Sequence, residues 1–198
     1  MIYLDSAATT FQKPLSVSYA MQRAMRTMSS PGRGGYAAAR AAEETAFRCR
    51  SLAAELFGVP SPEQVVFASN ATHALNIAIR SLVPESGRVA VSGYEHNAVT
   101  RPLQALGARI KVAASPLFDR AALLRAFENS ISPELDAVVC THVSNVFGFV
   151  LPIEEIAALC RAEGVPLIVD ASQSAGILPF ELDLSLIHIS EPTRRSYI

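Results

Sequence analysis

Residues 137–170, AVVCTHVSNVFGFVLPIEEIAALCRAEGVPLIVD, contain the pattern that decides the fold. An apolar run begins at residue 137, a segment with helical spacing follows at 153–163, and a second apolar run, PLIVD, ends the stretch at 166–170. Runs that are apolar throughout are typical of strands buried on both faces. A strand, a helix and a strand in this order predict a right-handed crossover between two parallel strands.

The same alternation extends toward the N-terminus. Further strands are predicted at 64–68, 88–91 and 109–113, and helices at 12–28, 37–57, 72–83, 97–106 and 120–129. The pattern predicts an α/β fold of three layers, αβα, in which a mainly parallel sheet follows an N-terminal helical segment.

The composition argues against several classes of function. The chain has 198 residues and a formal net charge of −1 with interspersed acids and bases, so neither a nucleic-acid nor a membrane surface is expected. The N-terminus lacks the pattern of a secretory signal, which favours a cytoplasmic location. Cys49, Cys140 and Cys160 are widely spaced in apolar contexts, so buried, reduced thiols are expected and no metal site.

In sheets of this kind, ligands bind beyond the carboxyl ends of the strands. The tetrapeptide Ser69–Thr72 opens a predicted helix, where free N–H groups and the helix dipole favour a phosphate. An ordinary N-cap explains the same residues. His96 follows the next predicted strand and suits either stacking on a flat ring and proton transfer, or helix capping.

Two later strands also end in polar side chains. Asn145 offers a donor and an acceptor, or is a turn residue before Gly148. Asp170 ends an apolar strand, where a carboxylate needs a cationic partner such as a protonated pyridine nitrogen, unless it caps a following helix. Gln173 could reach a phenolic oxygen on the same ring. Together these groups are the parts that a pyridoxal 5′-phosphate pocket needs.

These segments also carry a family resemblance. The chain resembles the class V aminotransferase group of fold-type I pyridoxal-phosphate enzymes, and within it the cysteine desulfurases. The likeness runs from residue 1 to about residue 183, with Ser6 where the family usually has asparagine. The matching segments, in order, are Tyr3–Thr10 (YLDSAATT), Ser69–Thr72 (SNAT), Glu95–Asn97 (EHN), His142–Asn145 (HVSN) and Val169–Gln173 (VDASQ).

The resemblance implies a role for each matched position. Most are contacts to the cofactor, and three lie near the substrate. The implied roles are phosphate binding by Ala71 and Thr72, ring stacking and proton transfer by His96, contact with the phenolic side of the ring by Asn145 and Gln173, pairing with the ring nitrogen by Asp170, and substrate contacts by Ser6, Ala7 and Arg33.

The resemblance also implies a reaction and partners. A cysteine desulfurase converts L-cysteine, or a related amino acid, to L-alanine and passes the sulfur to an enzyme cysteine for iron–sulfur cluster or thiocofactor assembly. The full-length protein is expected to be a homodimer with a sulfur-acceptor protein as partner. Aminotransferase, selenocysteine lyase and kynureninase-like activities remain alternatives, as does a non-catalytic fragment that binds a phosphate ligand.

The resemblance divides the chain into three parts. Residues 1–60 are expected to contribute to a small domain and to dimer contacts, and residues 61–183 to form an incomplete cofactor-binding domain. Residues 184–198 depart from the family pattern and read like translated sequencing adapter, so a non-native tail is expected there. Neither Lys13 nor Lys111 has the family's Schiff-base context, and the persulfide cysteine is also unmatched, so this chain is expected to be an inactive N-terminal fragment.

Overall fold

The computed structural model describes residues 2–178 and the backbone of residues 186–189. The chain divides into two compact units, residues 1–66 and residues 67–198. The regular elements of the first unit are α1 (Leu15–Thr27), α2 (Ala37–Leu56) and a short 3₁₀ turn (Pro62–Gln64). Those of the second are α3 (Ala71–Leu82), β1 (Arg88–Ser92), α4 (Asn97–Ala105), β2 (Arg109–Ala113), α5 (Arg120–Glu128), β3 (Ala137–Thr141), α6 (Ile153–Glu163), β4 (Leu167–Asp170) and β5 (Leu186–Ile189).

The strands of the second unit form one parallel sheet in the order β2-β1-β3-β4-β5. Residues of α3 and α4 pack on one face, in an apolar cluster with Val89, Val139 and Ile168. Residues of α5 and α6 pack on the other face, in a cluster centred on Phe127 and Val138. The predicted three-layer α/β fold is therefore confirmed.

The apolar strands owe their position to this double cover. Every residue of β3 and β4 is buried, and Val138, Val139 and Ile168 are fully so. Burial of apolar surface contributes roughly 25 cal/mol per Å² to stability. Strands covered by helices on both faces bury all their side chains, so apolar strands are most stable in the centre of the sheet.

The predicted strand at 64–68 is wrong. Ser61 accepts a hydrogen bond from the Glu63 N–H and starts the 3₁₀ turn, and the residues that follow the turn are irregular. Val66 is 78% exposed. A strand requires a neighbour for its backbone N–H and C=O groups, and the described residues provide none beside this segment.

The predicted burial of Cys49 on α2 is wrong. Ala39 and Ala54 are the buried residues of this helix, whereas Cys49 is exposed. Within this unit α2 packs against α1 and the 3₁₀ turn, which cover little of its surface. Cys140 and Cys160 are buried as predicted.

The strand β5 lies within residues 184–198, which the sequence predicts to be a non-native tail. Its backbone pairs in parallel with β4, from Leu167 opposite Leu186 to Asp170 opposite Ile189. The rest of this tail lies outside the described residues. The origin of the tail stays a prediction.

Candidate functional site

The carboxyl ends of β1, β3 and β4 lie side by side, because these strands are parallel neighbours. The chain leaves β1 for β2 on one side and then returns to β3 on the other, which creates a topological switch point between β1 and β3. Open α/β sheets bind ligands in the crevice at such a point. The helix α3 runs back along the sheet before β1, so its N-terminus reaches the same edge.

The N-terminus of α3 is capped by Asn70, whose Oδ1 accepts a hydrogen bond from the His73 N–H at 2.8 Å. Thr72 lies exposed in the first turn, and its hydroxyl has no hydrogen-bond partner among the described residues. The helix dipole adds partial positive charge at this point. Capping and phosphate binding are therefore compatible here, because the cap leaves the Thr72 hydroxyl available.

His96 is the N-cap of α4. Its Nδ1 accepts a hydrogen bond from the Ala98 N–H at 3.1 Å, and its ring is partly buried. An Nδ1 that accepts must be unprotonated, so the neutral ring carries its proton on Nε2. The structure thus shows His96 as a capping residue with a fixed tautomer, and its stacking on a flat ring stays a prediction.

Asp170 is buried at the carboxyl end of β4, with 6% of its surface exposed. Its Oδ1 accepts hydrogen bonds from the Ser172 N–H at 3.0 Å and from the Ser172 hydroxyl at 2.6 Å. Its Oδ2 makes no hydrogen bond among the described residues. Turns rather than a helix follow β4, so the alternative of a helix cap is wrong for Asp170. One oxygen of this largely buried carboxylate is thus left for a further donor or cation.

The two predicted amides lie in turns beyond the strands. Gln173 is partly buried in the turns that follow β4, three residues after Asp170. Asn145 is exposed in a turn that is closed by the Gly148 N–H donating to the Ser144 carbonyl at 2.9 Å. Gly148 has a φ of +67°, which favours glycine. Asn145 is therefore a turn residue at the expected edge, and ring contacts by both amides stay predictions.

The three predicted substrate contacts lie in the first unit. Ser6 and Ala7 are exposed in a turn in which the Ala8 N–H donates to the Asp5 carbonyl at 3.1 Å, and Arg33 is also exposed. All the other predicted site residues lie in the second unit. The substrate contacts of Ser6, Ala7 and Arg33 stay predictions.

The two lysines of the chain, Lys13 and Lys111, both donate hydrogen bonds to backbone carbonyl groups. Lys13 lies in the first unit, where its Nζ donates to the Thr10 carbonyl. Lys111 lies in the middle of β2, and its Nζ donates to the carbonyl of Asn129, just after α5. Since α5 leads toward the start of β3, this contact holds the Lys111 ammonium away from the carboxyl ends of the strands.

Sequence reasoning missed the carboxyl group of Glu95, which it treated only as part of a motif. Glu95 Oε1 accepts hydrogen bonds from the Ser92 hydroxyl and from the Thr141 N–H, the latter at 2.9 Å. These contacts bridge the ends of β1 and β3 at the switch point. A charged residue in the short loop after an apolar strand is a signal that could have identified it.

A second missed feature is a buried histidine–serine pair. His142 Nδ1 lies 2.8 Å from Ser174 Oγ, and both residues are buried. The backbone N–H of His142 also donates to the backbone carbonyl of Asp170 at 2.9 Å. The pair therefore ties the end of β3 to the turn that carries Gln173. Burial lowers the pKa of His142 below its ordinary value of 6.5.

We expect this pair to make the protein acid-sensitive. Because the folded pKa lies below the unfolded one, the stabilising contribution of neutral His142 is present above about pH 6.5 and is lost as the pH falls below it. The loss is at most about 1.4 kcal/mol per pH unit. Urea unfolding of the wild type and of His142→Gln at pH 7.5 and pH 5.5 measures it. The difference in the free energy of unfolding between the wild type and His142→Gln should be smaller at pH 5.5 than at pH 7.5. An equal difference at both pH values contradicts a stabilising role for neutral His142.

In the part of the chain that the structure describes, no helix is long and apolar enough to cross a membrane. Within the same residues, histidine, cysteine and carboxylate side chains form no cluster that could hold a metal ion.

Known proteins resemble this chain over most of its length. The aminotransferase class-V family model matches residues 2–187. Cysteine desulfurase IscS of Serratia proteamaculans is 34% identical over 194 residues, covering 91% of this chain and 46% of that protein. A probable cysteine desulfurase of Mycolicibacterium paratuberculosis is 30% identical over 197 residues, covering 92% of this chain and 28% of that protein. The chain thus spans less than half the length of these relatives.

Solved structures show the same fold. The apo cysteine desulfurase of Thermococcus onnurineus superposes with a TM-score of 0.78 at 26% identity, covering 88% of this chain and 45% of that one. The structure of SspA in complex with cysteine gives a TM-score of 0.77 at 25% identity, covering 87% of this chain and 51% of that one.

Proposed function

Because the chain belongs to the aminotransferase class-V family, we propose that its strand-end site binds pyridoxal 5′-phosphate and is part of a cysteine desulfurase. The substrate is L-cysteine, the product is L-alanine, and the sulfur passes to a cysteine of the enzyme. The names of the relatives and the cysteine complex of SspA support this choice within the family. A homodimer and a sulfur-acceptor protein belong to the same proposal.

The observation that carries this proposal is the Asp170 carboxylate. It is buried at the carboxyl end of β4, the strand next to β3, and Oδ2 has no hydrogen bond within the described residues. A protonated pyridine nitrogen supplies both the positive charge and the N–H that this oxygen lacks. The start of α3 offers the Thr72 hydroxyl and a helix dipole for a phosphate at the same edge.

Each residue then has a defined task. Pyridoxal phosphate, when bound, would supply an electron-withdrawing ring as long as its ring nitrogen is protonated. Asp170 would hold that proton on the nitrogen by charge and hydrogen bonding. His96 has its Nδ1 engaged by the Ala98 N–H, so Nε2 is the atom through which its ring can donate a proton. Gln173 and Asn145 offer amide groups to the phenolic side of the ring.

The buried thiols do not take part in sulfur transfer. The Cys140 and Cys160 side chains are closed to solvent, and this burial raises the pKa of Cys160 to about 12 and that of Cys140 well above its ordinary value, which disfavours the thiolate form of both. The thiolate is the nucleophilic form of cysteine. The persulfide-forming cysteine of the proposed enzyme is therefore neither of these two residues.

Equilibrium titration of the 198-residue chain with pyridoxal phosphate and with pyridoxal, followed by absorbance, tests the proposal. We expect reversible binding of pyridoxal phosphate and much weaker binding of pyridoxal, because the start of α3 binds the phosphate. Thr72→Val removes one donor to a charged group, which weakens binding about tenfold, or ~1.5 kcal/mol.

The control is Thr45→Val, since Thr45 lies on α2 and its hydroxyl donates to the Ala41 carbonyl. This variant should bind pyridoxal phosphate like the wild type. Equal affinity of the wild type for pyridoxal and for pyridoxal phosphate contradicts a phosphate site. Competition by inorganic phosphate alone, with no contribution from the ring, favours a simple phosphate-binding function instead.

A further inference from the structure

Glu95 joins the two strand ends that flank the switch point. It lies in the loop between β1 and α4, next to His96. Its Oε1 accepts the Ser92 hydroxyl at the end of β1 and the Thr141 N–H at the end of β3, 2.9 Å away. Thr141 is in turn the register partner of Asp170 in β4. One carboxyl group thus connects the loop that carries His96 to the strand pair that carries Asp170.

The other carboxyl oxygen of Glu95 is in an unusual position. Oε2 has less than 1 Å² of accessible surface and no hydrogen-bond partner among the described residues. A carboxylate whose second oxygen is desolvated and unpaired is costly, because burial penalises the charge far more than the neutral acid. Asp170 adds a second negative charge nearby, which increases that cost.

We propose that Glu95 is a positioning residue that stays protonated at neutral pH and holds the loop of His96 against the strand ends of Thr141 and Asp170. The neutral acid keeps both hydrogen bonds of Oε1 and removes the unpaired charge at Oε2. On the proposed function, on which this role rests, Asp170 is then the one carboxylate of this pair that meets the cationic ring.

The electrostatics support this assignment. Burial raises the pKa of Glu95 to about 8, against the opposing effect of the hydrogen bonds from Ser92 and Thr141, and the charge of Asp170 raises it further. Among the described residues, the groups that interact electrostatically with Glu95 are Asp170 and the Cys140 thiol. Burial and the Glu95 charge both raise the pKa of Cys140. Neither group offers a positive charge that would favour the ionised acid.

Carbon-13 NMR of the chain labelled at the glutamate Cδ tests the proposal without any cofactor. The Glu95 signal is identified by its absence in Glu95→Gln. We expect it to titrate with a midpoint near 8, and a midpoint near the ordinary value of 4.5 overturns the proposal. Urea unfolding gives a second readout. As the pH rises from 4.5 to 8, the equilibrium constant for folding of the wild type, relative to that of Glu95→Gln, should fall by up to tenfold per pH unit.

Rescue by glutamine separates a neutral acid from a carboxylate. Glu95→Gln should stay folded and bind pyridoxal phosphate within about threefold of the wild type, whereas Glu95→Ala should bind about tenfold more weakly, since one net hydrogen bond is worth ~1 kcal/mol. A Glu95→Gln chain that unfolds overturns the proposal. Glu155→Gln is the matched control, because Glu155 forms an exposed ion pair with Arg120. This variant should stay folded and bind pyridoxal phosphate like the wild type.

The two proposals fail in different ways. A normal titration of Glu95 together with tight pyridoxal phosphate binding overturns the positioning role and leaves the proposed function intact. A titration near 8 in a chain that binds no pyridoxal phosphate supports the neutral acid and overturns the proposed function.

Discussion

Replacing Asp170 by asparagine should weaken pyridoxal phosphate binding about 10- to 100-fold. A hydrogen bond to a charged group is worth about 1.5–3 kcal/mol, and the amide cannot supply the negative charge that the protonated ring nitrogen requires. The side chain keeps its size, so packing at the end of β4 should be preserved. Absorbance titration of the variant measures the affinity, and thermal melting checks that the chain is folded.

Asp119→Asn provides the matched control for this substitution. Asp119 caps α5, where its Oδ1 accepts a hydrogen bond from the Ala122 N–H at 2.8 Å. Asparagine is nearly as good an N-cap as aspartate, so stability and binding should both stay close to those of the wild type. If Asp170→Asn binds pyridoxal phosphate as tightly as Asp119→Asn does, Asp170 does not pair with the ring nitrogen.

Truncating Phe127 to alanine should lower the free energy of unfolding by about 3–5 kcal/mol. Phe127 is fully buried on α5 and belongs to the apolar cluster that covers one face of the sheet. Removing its ring leaves a cavity that the rigid strands cannot close, and the β2–β1–β3 region loses support beneath the site. Urea unfolding followed by circular dichroism measures the loss.

Phe118→Ala is the control for this truncation, because the Phe118 side chain is 62% exposed. Its ring meets the Phe149 ring edge-on at a centroid distance of 5.4 Å, a contact worth about 0.5–1.5 kcal/mol. A loss at Phe127 no larger than that at Phe118 would show that α5 does not pack on the sheet as described.

Local patterns were sufficient for most of the second unit. The apolar runs at 137–143 and 166–170 became β3 and β4, and the helix predicted at 153–163 has those bounds as α6. Such strands are buried on both faces and need no partner-specific information to be recognised. Their position in the sheet order β2-β1-β3-β4 follows from packing, which the sequence pattern does not contain.

The segment at 64–68 shows where local patterns fail. Its apolar residues resemble those of the true strands, yet pairing depends on a neighbour that is distant in sequence. The exposed Cys49 illustrates the same limit, since an apolar sequence context does not show whether another element covers the side chain. Burial is a property of the assembled fold.

The candidate site divides in a similar way. Asp170, His96 and Thr72 are predicted from the sequence because they follow strands or open a helix, positions at which open α/β sheets commonly bind ligands. The roles of Glu95 and of the pair of His142 and Ser174 depend on contacts between strand ends, which become visible once β1, β3 and β4 lie side by side. Sequence motifs therefore predict groups at the strand ends and miss those whose contacts join one strand end to the next.

A crystal structure of the 198-residue chain with pyridoxal phosphate is the most direct test of the central claim that these strand ends form one cofactor pocket. We expect the phosphate at the first turn of α3, beside Thr72, and the ring nitrogen hydrogen-bonded to Asp170. A phosphate bound elsewhere, or a ring attached to Lys13 or Lys111 away from Asp170, would contradict the account.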